Sequence, residues 1–94
     1  MVTPESIQDA VRQFVLSGEI SPPNQGESLL MRLRTAASKY IGGNCHAAVA
    51  IYESFIGTLK ARRGKNVTPA AADIMIADAQ FLIENCPAIF GQGG

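Results

Sequence analysis

Two cysteines and a single histidine are the most reactive side chains in this chain of 94 residues. Cys45 and His46 are neighbours in "GGNCHAAV", and Cys86 stands far downstream in "IENCP". As metal ligands they form a poor set, without Cys-x-x-Cys spacing and without a fourth donor. As a catalytic base, His46 needs a nucleophile or an orienting carboxylate close by. It falls instead in the first turn of a helix that Asn44 is suited to cap, and it reads as a solvent-facing or partly packed side chain. The carboxylates Glu5, Asp9, Glu19, Glu27, Glu53, Asp73, Asp78 and Glu84 are scattered, and no Glu-x-x-His occurs, so the di-metal motif of helical bundles is missing. Gly42-Gly43-Asn44 precedes a helix but lacks the lysine and spacing of a phosphate-binding loop. No catalytic, cofactor or metal motif emerges, and the chain reads as a non-enzyme.

The one cationic run is Lys60, Arg62, Arg63 and Lys65. These side chains are a candidate interaction surface for a phosphate or an anionic polymer. They also suit the negative end of a helix dipole and the solubility of a turn. Eight acidic residues balance eight basic ones, so no general attraction to nucleic acid or an anionic membrane is expected. With no tryptophan and few other aromatic residues, the chain has little from which to build a base- or sugar-stacking platform. No apolar run approaches the roughly 18 residues that a membrane span needs. "MVTPES" lacks the basic start and apolar stretch of a signal peptide; if Met1 opens an excised fragment, an export signal lies upstream in a longer parent. Asn66-Val67-Thr68 fits the N-glycosylation triplet, which matters only in a host that glycosylates there.

Four helices have to position these residues. Thr3-Pro4-Glu5 combines a cap, a preorganised first position and an acid at the positive end of the dipole. Ile7, Ala10, Val11, Phe14 and Val15 follow at helical spacing, Gly18 stops the helix, and Ile20 should fold back onto the core. "SPPNQ" reads as a turn. A second helix beginning between Asn24 and Glu27 carries Leu29, Leu30, Leu33, Ala36, Ala37, Tyr40 and Ile41 as its apolar stripe. The third, capped by Asn44, buries Ala48, Tyr52, Phe55, Ile56 and Leu59 and ends in "KARRGK". Val67-Thr68-Pro69 repeats the N-terminal device ahead of a fourth stripe of Ala72, Met75, Ile76, Ala79, Leu82 and Ile83. The expected fold is all-α, an antiparallel four-helix bundle of two hairpins over residues 1–88, with 89–94 as a flexible tail to which Ile89 and Phe90 belong. "SGEI" and "RRGKNV" share a glycine, polar residue and β-branched order, a hint that the hairpins are duplicates.

The short connection near Lys65-Asn66 makes the third and fourth helices antiparallel, so residues equidistant from it lie at one height. Cys45 and Cys86 are nearly equidistant, and they should meet at the open end of the hairpin and form a disulfide. Such a bond implies an oxidising compartment. The plain alternative is a pair of buried thiols.

The order of these residues resembles the FIMAH-type helical domain of bacterial extracellular proteins. The resemblance runs through Phe14, Gly18-x-Ile20, Leu29-Leu30, Ala36, Phe55-Ile56, Ala61, Gly64-Lys65 with Val67, and Ala72, Ile76, Ala79 and Leu82, covering residues 7 to 84. It implies an accessory module of large secreted or surface proteins, alongside glycoside hydrolases, peptidases or immunoglobulin-like arrays, with no catalytic residues to carry over. The expected partners are neighbouring domains of a parent protein, another protein or an extracellular polymer, in the role of spacer, end cap or docking surface. The rival reading is an intracellular helical adaptor or small regulatory protein that binds a partner helix. The state of the Cys45–Cys86 pair separates the two.

Overall fold

The computed structural model describes residues 2–86. Its four helices are α1 (Pro4–Ser17), α2 (Pro23–Ile41), α3 (Cys45–Arg62) and α4 (Pro69–Glu84), each packed on the next, with α4 closing against α1. The all-α bundle of two hairpins is therefore the observed fold. The tail expected at 89–94, with Ile89 and Phe90, lies outside the described residues.

Capping accounts for three of the four starts. Thr3 Oγ1 accepts from the Ser6 N–H (2.9 Å), and Ser6 Oγ accepts in return from the Thr3 N–H (2.8 Å). Asn44 accepts from Ala47 N–H and Thr68 from Ala71 N–H. The start of α2 differs from expectation. It opens at Pro23, with Pro22 as a cap that makes no side-chain hydrogen bond. The second proline that seemed to belong to a turn instead occupies the first helical position, where a missing N–H costs nothing.

The core is formed by Ile7, Val11, Leu29, Leu33, Ala36, Ala48, Tyr52, Phe55, Leu59, Ala71, Ala72, Met75, Ala79 and Leu82, joined by Ile20 from the α1–α2 connection and Val67 from the α3–α4 connection. These connections pair with each other. Ile20 and Val67 form an antiparallel bridge, Ser21 N–H donates to Asn66 O (2.9 Å), and Thr68 N–H donates to Glu19 O (3.0 Å). Each follows a glycine at positive φ, Gly18 at 83° and Gly64 at 82°, a backbone region that costs other residues strain. The similar turns thus fasten one end of the bundle, and the disulfide fastens the other. One stripe residue is misplaced by the sequence reading: Ile41 is 79% exposed, because α2 outruns the core at its last turn.

Two helical glycines should respond oppositely to alanine. Gly26 is buried, and a Cβ there would overlap the Val15 side chain across the α1/α2 contact. Gly57 is exposed in α3 with open space around the same position. Gly57→Ala is expected to stabilise the domain by about 0.5–1 kcal/mol through helix propensity alone. Gly26→Ala should destabilise by about 1–3 kcal/mol through overpacking. Urea titration of both variants checks the sign of each.

Candidate functional site

The sulfurs of Cys45 and Cys86 are bonded, with Cα atoms 6.0 Å apart and both side chains buried. The bond joins the first residue of α3 to the segment just past α4. A second tie lies beside it: Tyr40, near the end of α2, donates its hydroxyl to the carbonyl of Asn85 (3.0 Å). Tyr40 also meets Tyr52 edge to face, with ring centroids 6.3 Å apart. The Tyr52 ring is fully buried, and its hydroxyl has no hydrogen-bond partner among the described residues.

Burial, with a smaller contribution from Tyr40, pushes the Tyr52 phenol up to about 12. An unfolded tyrosine ionises near 10, so above that pH the unfolded chain releases a proton that the native state keeps. Stability is therefore complete below about pH 10 and declines from there to about 12, by at most roughly 1.4 kcal/mol per pH unit. Tyr52→Phe should remove that slope while adding about 1 kcal/mol at neutral pH, since no unpaired hydroxyl stays buried. Denaturant midpoints at pH 8 and above pH 10 test both claims.

His46 is exposed at the start of α3, and no group of three His, Cys, Asp or Glu side chains converges as a metal site among the described residues. The basic run lies at the opposite end from the disulfide. Lys60 and Lys65 are exposed, Arg62 is half-buried, and the Arg62 carbonyl accepts from Lys65 N–H (2.9 Å) and Val67 N–H (3.2 Å) to close the turn. Arg63 departs from the group. Its Nε and Nη2 donate to the two oxygens of Asp73 at 2.9 and 3.0 Å, a bidentate pair on the surface. The hydrogen bond and charge of Asp73 hold the guanidinium above its usual range, and the Asp73 carboxyl is held below its own by the same bond. Sequence reasoning grouped the four cations by proximity, whereas among the described residues Arg63 is the one of them in an ion pair.

The helices also carry charge unevenly, which the neutral total conceals. Glu5, Asp9, Glu19, Asp73, Asp78 and Glu84 stand on α1, its following turn and α4, where Arg12 is the sole base. The other seven bases stand on α2, α3 and the basic turn, against Glu27 and Glu53. Only Asp9–Arg12 and Arg63–Asp73 approach as ion pairs among the described residues.

Apolar surface lies on both halves. A groove of about 440 Å³ runs between α2 and α3, lined by Met31, Arg32, Thr35, Ala50, Ile51 and Ser54. Met31 is 66% exposed there, and Arg32 donates to the Thr58 hydroxyl at its edge. On α4, Ile74 (50% exposed) and Phe81 (40% exposed) project outward. The α4 composition contains the signal that sequence reading missed. A helix apolar on nearly every side cannot bury them all against two neighbours.

No curated protein and no solved structure gives a significant match to the chain. The profile of the FIMAH domain matches residues 4–84, from the first residue of α1 to the last residue of α4. All four helices and all three connections lie inside that match, and on this ground the chain belongs to the FIMAH domain family.

Proposed function

We propose that this chain is a non-catalytic accessory module of a secreted or cell-surface bacterial protein, serving as a spacer, an end cap or a docking surface for neighbouring domains, another protein or an extracellular polymer. Membership in a family of domains supports placement within a larger protein. The observation that carries the extracellular part is the Cys45–Cys86 bond, because disulfides persist in oxidising compartments and are rare where glutathione keeps thiols reduced. Lys60, Arg62 and Lys65 form the surface offered to an anionic polymer.

The test is alkylation of the chain recovered from its native host, with thiols blocked during lysis and intact mass read before and after reduction. Both cysteines should resist alkylation until reductant is added, and digestion should release a linked peptide containing Cys45 and Cys86. Free alkylation in material never exposed to reductant overturns the extracellular reading and favours an intracellular adaptor. For the basic surface, Lys60→Glu with Lys65→Glu should abolish retention on a polyanionic resin at low salt; unchanged retention removes that surface from consideration.

A further inference from the structure

The exposed face of α4 and the groove between α2 and α3 are both apolar and are opposite in charge. Ile74, Ala77 and Phe81 recur at three and four residues, which puts them on one side of α4 as an apolar ridge. The acids beside this ridge are Asp73, Asp78 and Glu84, and no base occurs on α4 at all. Asp73 is committed to Arg63, whereas Asp78 is half-buried and forms no ion pair among the described residues. The groove presents Met31, Ala50 and Ile51 as its apolar floor. Arg32 lines it, and Lys39 stands one turn beyond Thr35 on the same helix. Glu27 and Glu53, the acids of α2 and α3, are not among the residues that line it.

We propose that the α4 ridge of one copy of this chain docks in the α2/α3 groove of a second copy, with Phe81 and Ile74 on Met31 and Ile51, and with Asp78 and Glu84 facing Arg32 and Lys39. The proposal deepens the reading of the chain as a docking module by naming its partner as itself. A groove and a helix ridge are the two halves of a common recognition mode, in which an amphipathic helix lays its apolar face into a cleft. Opposite charge around each half sets the register and speeds encounter. Ridge and groove belong to different parts of the surface, so each docked copy leaves one of each unfilled. Association is then head to tail and adds copies rather than stopping at a symmetric pair.

Sedimentation equilibrium of the disulfide-bonded chain tests this without reference to its compartment, so a failure here is distinct from a failure of the alkylation experiment. At low salt the average mass should rise with concentration above the 10.0 kDa of one chain. Salt at about 0.5 M should reverse most of that rise, because screening shortens the reach of the rim charges. Phe81→Glu spoils the ridge and Met31→Glu spoils the groove, and each alone should stay at the mass of one chain with unchanged helical circular dichroism. Mixed together, they should give a one-to-one pair and nothing larger, since one intact ridge then meets one intact groove. A mass that stays at one chain up to about 1 mM, the weak end of the affinity scale, overturns the proposal. So does association that survives either substitution, or a mixture that fails to pair.

Discussion

Loss of the Cys45–Cys86 bond should cost this domain about 4 kcal/mol of unfolding free energy. The bond closes a loop across a sequence separation of 41 residues, and the chain-entropy relation for a loop of that length gives this figure. The segment after α4 is held besides by the Tyr40–Asn85 hydrogen bond, and the last buried residue of α4 is Leu82. A domain of this size has roughly 5–10 kcal/mol in total, so the bond supplies a large fraction. Both cysteines should be replaced by alanine rather than serine, since the sites are buried and a hydroxyl would need a partner there. Calorimetry should show a fall in Tm of about 15–30 °C for the double variant and a similar fall for the native chain under reductant. A shift worth less than about 1 kcal/mol would mean the unfolded chain is already restrained at that end without the bond.

Ile20→Ala is expected to destabilise by about 2–5 kcal/mol, as much as truncating a core helix residue. Ile20 belongs to no helix, yet it is 1% exposed and sits within the main hydrophobic cluster. Its N–H donates to Phe14 O (3.1 Å), its neighbours exchange hydrogen bonds with the α3–α4 connection, and it opposes Val67 in the bridge. Glu19 strengthens the same junction, accepting from the hydroxyls of Thr68 (3.0 Å) and Ser17 (3.1 Å). Alanine therefore opens a cavity where the two hairpins meet, a place that cannot collapse without moving both turns. Ile20→Val should cost only about 0.5–1.5 kcal/mol, which grades the effect by volume. Leu16→Ala is the control: this leucine is inside α1 but 80% exposed, and its loss should stay within about 0.5 kcal/mol. Equal effects at positions 16 and 20 in a urea titration would refute the bridge as a point of attachment.

Ile20 and Ile41 show where sequence reading has its limit. Ile20 is placed correctly from sequence, because a β-branched residue two positions after a helix-stopping glycine has little choice but to return to the core. Leu16 stands opposite the apolar stripe of α1, so its exposure is legible from spacing as well, whereas Ile41 continues the α2 stripe at a helix end where the core no longer covers it. The Arg63–Asp73 pair is invisible in the same way, since it joins a turn to the fifth residue of the helix that follows through a side-chain path no spacing rule describes. The pairing of Glu19 to Ser21 with Asn66 to Thr68 requires the hairpins to be docked before either partner is near the other.

By itself the sequence determined the number of helices, the starts of α1, α3 and α4, the greater part of the core and the register that unites Cys45 with Cys86. Each of these follows from interactions between residues close in sequence, or from the geometry of one hairpin, and is local in that sense. The tertiary structure alone decided which apolar side chains stay outside, how the connections bridge, and that the two acidic helices, α1 and α4, pack against each other. Those properties depend on how one hairpin packs against the other. The free energy of that packing is spread over many weak contacts between residues distant in sequence, which leave no pattern in any one segment.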